Sequence, residues 1–450
     1  MAGEKASRQL EQQLQRIFAD RHKTGQLDLE AAEMAIRSTV HQTGADAVTE
    51  LLRLAPPDHD HRGIPCACGR VARYEEMRSR PILTVVGWAR VERPYYLCQA
   101  CHRGQFPADV ELDIDQTDFS PGVRRMLAAV GGVTAFARGR DQVKLLAGLE
   151  VTAKTVERTA ESIGEDIEIR QQKAIQSAKQ LHLPAIAGPS IRHLYIQMDG
   201  TQVFVVKAET QGRPGRTPGQ PARTRECKLG AVFTQTTVDQ QGRPLRDEDS
   251  TTYVGAIETA EEFGLRIYAE AWSRGWERAT LRVVMGDGSH WIWNLADQHF
   301  PGAIQIVDLY HAREHLWDLA RQIHPSDQAA QKRWLMRKLD WLENGKIEKL
   351  AMALGKQADA EQNPELAKAI GIEAEYFDSN RERMRYPAFR KKNLFVGSGV
   401  IEAACKTVIG SRLKQSGMFW TVRGANAIIA LRCCLLSGQF EDHWAARRSA

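Results

Sequence analysis

Two sets of residues in this chain have types and spacings that could do chemistry. The first is four cysteines. Cys66 and Cys68 form a C-x-C pair, Cys98 and Cys101 a C-x-x-C pair, and between them lie two β-rich runs, Ile82 to Val91 and Pro94 to Leu97. Each short pair can grip one ion from a tight turn, and a hairpin joining the pairs would present four thiolates, a tetrahedral donor set for Zn²⁺. Reduced, unliganded thiols are the alternative. A four-thiolate shell leaves no open position, so such a zinc would be structural.

The second set is carboxylates. Asp199 follows the run HLYIQM in Met-Asp-Gly-Thr, and Asp287 follows LRVVMG in Gly-Asp-Gly-Ser, so both are expected at strand ends. If those strands are neighbours, the two carboxylates meet at one sheet edge. They repel unless cations bridge them, and oxygen donors of this kind suit Mg²⁺ or Mn²⁺. Asp-Gly is also a common tight-turn dipeptide, so either aspartate alone could be a turn former. Glu402, in GSGVIEAACK, is expected in the first turn of a helix. A glutamate there is also what the helix dipole favours. Three carboxylates can hold two divalent ions roughly 3.5–4 Å apart, one activating water or a 3′-hydroxyl, the other stabilising the leaving oxygen of an in-line attack on phosphorus. Asp308 and His311 lie three apart at an expected helix start, share a face, and fit a supporting role beside metal ligands. His315 reads as an ordinary helix histidine. Cys227, Cys405, Cys433 and Cys434 have no ligand-like spacing and read as small core residues.

These groups need elements to position them. Residues 1–58 read as helical, with Leu10, Leu14, Ile17 and Phe18 on one stripe. Residues 59–118 hold the cysteines and read as a zinc-ribbon-like domain. Within 119–185, one helix is expected to end at Ala147-Gly148 and another to start from Thr152, the outline of a helix-turn-helix in which Lys154, Thr155 and Arg158 would face a DNA groove. Many helical hairpins share that outline without touching DNA. From 190 the pattern turns to strands: HLYIQM, QVFVVKAE and CKLGAVFTQTTVD, then a helix at about 257–273, LRVVMG, a helix, IQIV, and mostly helix. Three strands followed by βα units give an α/β fold with a mixed sheet, the plan of an RNase H-like core. Residues 190–312 would be its first part, 313–380 a helical insertion, and 381–440 its last part, carrying Glu402.

At 450 residues and 43% hydrophobic composition the chain supports two or three domains. No window is apolar enough for a membrane span and the first residues lack a signal-peptide pattern, so a cytoplasmic protein is expected. The net charge of +5 is small, but residues 381–432 hold eleven Lys/Arg against two Glu. A charge run is usually a solvated face, but charges packed so densely repel unless a polyanion is bound. Arg390, Lys391, Lys392, Lys406, Arg412, Lys414 and Arg423 are therefore candidate DNA contacts. Trp291, Trp293, Phe419 and Trp420 read mainly as core, with Phe419-Trp420 the pair placed to stack on unpaired bases.

Taken together, MDGT, GDGSHWIWN, DLYHAREHL, GSGVIEAACK and SRLKQSGMFWTVRGANAIIALR resemble the DDE transposases of bacterial insertion sequences in the Kra group, relatives of Mutator-like elements, over about residues 60–435. The resemblance implies that Asp199, Asp287 and Glu402 bind two Mg²⁺ or Mn²⁺ ions, that Asp308 and His311 form the accompanying motif, and that the cysteine and helical segments recognise the element's terminal repeats. It also implies a homo-oligomer that synapses two DNA ends. The competing readings are an RNase H-like nuclease without strand transfer and a non-catalytic zinc-containing DNA-binding regulator.

Overall fold

The computed structural model describes residues 8, 11–12, 14–19, 21, 28–58, 62–180, 182–183, 185–215 and 220–447. Leu10 of the N-terminal stripe and residues 216–219 lie outside the described residues. The chain falls into two compact units, 1–160 with 444–450, and 161–443.

The first unit begins with α1 (Leu29–Leu51), capped by the Asp28 side chain. It continues into a four-stranded antiparallel sheet: β1 (Gly63–Pro65), β2 (Val71–Thr84), β3 (Gly87–Leu97) and β4 (Gly104–Gln105), in that order. The long β2–β3 hairpin turns at Val85-Val86, inside the first β-rich run expected from sequence. Valine has strong strand propensity, and here the turn overrides it. A short helix, α2 (Pro107–Glu111), carries Asp109, whose buried carboxylate accepts from Arg93 at 2.7 Å and from Arg80 at 3.3 Å. Next come α3 (Pro121–Val133), α4 (Phe136–Ala147) and α5 (Ala153–Lys179). As expected, α4 ends at Gly148 in the left-handed conformation, and Thr152 Oγ1 accepts the Thr155 amide at 3.0 Å to start α5. At 27 residues α5 is far longer than a helix-turn-helix requires, and the division between units falls within it.

The second unit is built on a mixed five-stranded sheet in the order β11-β10-β5-β6-β9. These strands are β5 (Ile191–Phe204), β6 (Thr224–Gln235), β9 (Thr252–Ala256), β10 (Ala279–Gly286) and β11 (Ile304–Val307). A small hairpin, β7 (Thr237–Val238) and β8 (Pro244–Leu245), projects after β6. HLYIQM and QVFVVKAE, expected as two strands, are largely one. The backbone runs extended through Asp199-Gly200, which pair with Leu229 and Lys228 on β6. The Asp-Gly pair makes no turn here because twelve consecutive antiparallel pairs hold it flat. The missing third strand is β9, after which α6 (Ala260–Ser273) starts from a Thr259/Glu262 capping box.

β10 lies parallel to β5, and β11 parallel to β10. Even-numbered β5 residues Leu194, Ile196 and Met198 join the large core with Phe263 and Ile267 of α6 and with Ile292 and Leu295 of α7 (His290–His299). Four helices follow β11: α8 (Leu309–Ile323), α9 (Gln328–Glu343), α10 (Ile347–Ala360) and α11 (Pro364–Ser379). After α12 (Tyr386–Lys391) the chain returns to the sheet through α13 (Gly399–Ala404), a π-helical turn over Cys405–Gly410, α14 (Ser411–Leu413), α15 (Val422–Leu436) and α16 (Phe440–Arg447).

Candidate active site

Side chains alternate across a strand, so Tyr195, Gln197, Asp199 and Thr201 share one face of β5. That face meets the returning chain in order. The Tyr195 hydroxyl accepts the Phe395 amide at 3.4 Å, and Gln197 donates to the Gly397 carbonyl at 3.4 Å and accepts the Ile401 amide at 3.0 Å. Asp199 Oδ2 accepts from the Cys405 thiol at 3.3 Å, and Thr201 Oγ1 accepts from Lys414 Nζ at 2.6 Å. Five hydrogen bonds thus place the Glu402 helix over Asp199, across some two hundred residues of sequence.

Asp287 reaches the same edge from β10. The last parallel pair is Met285 with Gln197, and Asp287 and Asp199 each lie two residues beyond it. Burial raises the Asp199 carboxyl above its usual range; the Cys405 and Gly200 donors oppose that rise, and the Asp287 charge adds to it. Asp287 is at a turn as well: Oδ1 accepts the Ser289 amide at 2.8 Å and Oδ2 the Ser289 hydroxyl at 3.0 Å. Gly288 there has φ +102, and a Cβ would strike the Tyr376 ring at 2.5 Å, so this turn needs glycine. The Tyr376 hydroxyl donates to the Asp287 carbonyl at 3.0 Å.

Asp308 is fully buried. Its Oδ1 caps α8 by accepting the His311 amide at 2.6 Å, and its Oδ2 accepts the Ser398 amide. One carboxylate therefore ties the end of β11 to the entry of the Glu402 helix. His311 shares a 3.2 Å hydrogen bond with His315, whose other ring nitrogen meets Glu373 at 2.8 Å and whose ring stacks on Tyr376 at 4.1 Å. A cavity of about 450 Å³ is lined by Asp287, His311, His315 and Tyr376 among others.

Glu402 is exposed in the first turn of α13, with Oε1 accepting from Ser398 Oγ at 3.3 Å. Among the described residues, the one set of three or more His, Cys, Asp or Glu with ligand atoms all within 4.8 Å is Cys66, Cys68, Cys98 and Cys101. Asp199, Asp287 and Glu402 form no such set: Asp287 lines the cavity of about 450 Å³, and Glu402 lines another of about 1190 Å³.

The basic segment divides into surface and interior. Arg390, Lys391, Lys392, Lys406 and Lys414 are exposed, as is Arg423, which pairs with Glu165 at 2.6 Å. Arg412 is a correction: it is 0% exposed, with its guanidinium 5.1 Å from the Trp420 ring centre, so it cannot present its charge to a surface ligand. Burial lowers its pKa to about 10. Arg432, counted in the same run, is buried too, donating to the Val408 and Thr407 carbonyls of the π-helical turn. Trp420 is buried with its indole donating to the Leu413 carbonyl at 3.1 Å, whereas Phe419 is 60% exposed. In the first unit Lys154 and Arg158 are exposed and Thr155 is half-buried; Lys154 pairs with Glu157 at 2.7 Å.

The four cysteines sit at the open end of the β2–β3 hairpin. Cys66 and Cys101 sulfurs are 3.5 Å apart and those of Cys68 and Cys98 3.6 Å. A tetrahedral ion with Zn–S of about 2.3 Å requires S···S of about 3.8 Å, so the set could bind zinc. The Cys101 amide helps lower the Cys98 thiol to about 7. At Cys101 the Arg103 amide acts in the same sense, but burial and the three other sulfurs win and raise it to about 12.

No family model and no curated protein matches the chain. A chain from the Drosophila P element transposase strand transfer complex aligns with it at 10% identity, covering 74% of this chain and 95% of that one, with a TM-score of 0.32. A likeness that slight carries no argument, and the site stands on its own geometry.

Sequence reasoning missed Gln197, Cys405, His315 and Tyr376. Cys405, read as core, is only partly buried and touches Asp199. Its signal was available: it follows Glu402 by three residues on one helix, and so shares its face.

Proposed function

We propose that this protein is a metal-dependent DNA-processing enzyme of the DDE transposase type, in which Asp199, Asp287 and Glu402 hold two Mg²⁺ or Mn²⁺ ions. The observation that carries the reading is the hydrogen-bond series from β5 to residues 395–414, which sets the Glu402 helix over the edge where Asp199 and Asp287 emerge side by side. The strand order, with β10 and β11 parallel to a first long strand and β6 and β9 antiparallel, supports an RNase H-like core. The donor chemistry fits. Two carboxylates that share an edge, one of them raised by burial, gain from a divalent cation, and all the donors are oxygens. When bound, two such ions supply an activated nucleophile and a stabilised leaving oxygen.

The chain's own residues do the positioning. Asp308 and Gln197 fix the loop that leads into Glu402, Ser289 orients the Asp287 carboxylate, and Cys405 orients Asp199. Exposed Lys406 and Lys414 flank this edge as phosphate contacts. The zinc-type knuckle and Lys154, Thr155 and Arg158 on α5 would read the element's terminal repeats, with Arg390, Lys391, Lys392 and Arg423 adding backbone contacts and a homo-oligomer pairing the ends. Incubating the purified protein with Mg²⁺ or Mn²⁺ and DNA carrying the ends of its element tests the reading. Nicking followed by joining is expected, hydrolysis without joining would leave a nuclease, and neither product would overturn the enzyme. The Asp199→Asn protein should lose both products and keep DNA binding.

A further inference from the structure

Beside Glu402 lies a groove of about 1190 Å³, above the roughly 300–1,000 Å³ of small-molecule sites. Its floor is the backbone and apolar side chains of Leu394, Phe395, Val396 and Val400, and Arg243, Arg390 and Tyr310 stand on its rim. We infer that this groove binds a single DNA strand and leads its end to Glu402; the inference rests on the function proposed above and names the substrate form that the site takes.

Three observations carry it. Tyr310 is 58% exposed: a Cβ on Gly397 would lie 2.7 Å from its Cε2, so the ring lies close against the Gly397 backbone, and the Arg313 guanidinium lies over the ring 5.3 Å from its centre. An aromatic ring with more than half of its surface in solvent, backed by an arginine, offers an unpaired base a stacking partner, which a paired base inside a duplex cannot use. The cations sit apart from the apolar floor. Arg390 is exposed, and Arg243 extends from the β7–β8 hairpin with its side chain 72% exposed, its Nε on Asp239 at 2.7 Å. Asp239 also accepts the Gln241 and Arg243 amides, so it holds the hairpin turn while balancing the Arg243 charge. An apolar floor for bases beside the exposed Arg390 for phosphates is a layout that suits an unpaired strand. Finally, Glu402 lies in the lining itself, so a strand in the groove has an end at the proposed metal site.

The test is fluorescence anisotropy of the full-length protein with a labelled 15-nucleotide single strand and the matching duplex, in buffer without Mg²⁺ or Mn²⁺. The single strand should bind more tightly. Tyr310→Ala should weaken it about tenfold while Tyr310→Phe does not. Arg390→Glu should also weaken it and lower the salt slope by about one. Lys356→Glu, on α10 away from the groove, should change nothing. Single-strand affinity unchanged in a Tyr310→Ala/Arg390→Glu double variant, or a preference for duplex, overturns the inference. If the variants fail to fold, hydrogen exchange on the wild-type protein decides: protection of 239–244 and 393–397 by the oligonucleotide supports it, and unchanged exchange overturns it. Because no catalytic metal is present, this result is independent of the cleavage assay. A protein that binds the strand but never cuts defeats the proposed chemistry and leaves the groove; one that cuts with the groove unoccupied does the reverse.

Discussion

At the residue scale, the reading of Asp199 depends on which force sets its protonation. Burial raises its pKa, so the folded metal-free protein binds a proton more readily than the unfolded chain. The favourable contribution is therefore full at acid pH and is lost as pH rises through the raised folded value. Metal-free protein should accordingly lose part of its thermal stability on going from mildly acid to neutral pH. Asp199→Asn should flatten that trend, and added Mg²⁺ should raise the wild-type melting temperature at neutral pH by binding the ionised form. A melting curve insensitive to Mg²⁺ would count against a metal site here. The Cys405 thiol lowers the same pKa, so Cys405→Ala should move the acid limb of the cleavage–pH profile upward, and Cys405→Ser, which keeps a donor, should restore it.

At the element scale, the short helix carrying Glu402 is held from outside itself. Six residues cannot sustain a helix alone, and its entry is fixed by Gln197 and Asp308. Gln197→Leu would remove the bonds that tie β5 to the Ile401 amide, which would keep only the Ser398 carbonyl, and to the Gly397 carbonyl, at a cost of about 0.5–1.5 kcal/mol for each bond. Chemical denaturation should register that loss, and cleavage should fall further than stability explains, because Glu402 loses its placement. The β2–β3 hairpin makes a parallel case. Its open end is joined by the four-cysteine cluster, and Cys98→Ser/Cys101→Ser should lower bound zinc from one ion per chain to none by metal analysis. Proteolysis should then open the sequence around residues 66–101. Retained zinc in that variant would remove the cluster as its site.

At the scale of the whole chain, the two compact units carry separate cores, the cysteine cluster belonging to 1–160 and the carboxylates to 161–443. A zinc chelator should lower one calorimetric transition and leave the other, and Mg²⁺ should raise the one that zinc removal spares. Among the described residues no helix is long and apolar enough to cross a membrane.

What the sequence determined by itself was chemical type and local grammar. The cysteine pairs, the strand runs around Asp199 and Asp287, the Thr152 cap and the first-turn position of Glu402 are each encoded within a few residues, by side-chain chemistry, propensity and capping. Where neighbouring strands compete with those signals, local reading fails: Asp199-Gly200 is extended rather than a turn because β6 pairs with it throughout, and the β2–β3 hairpin turns through two valines. Charge misled for a related reason. Composition counts Arg412 and Arg432 with the surface cations, whereas packing takes both inside, Arg412 against Trp420 and Arg432 onto the carbonyls of the π-helical turn. Only the tertiary structure decided that Tyr195, Gln197, Asp199 and Thr201 each bond to a chain some two hundred residues away. That pairing, set by the period of one strand and the path of the returning chain, brings the helix that carries Glu402 to the strand that carries Asp199.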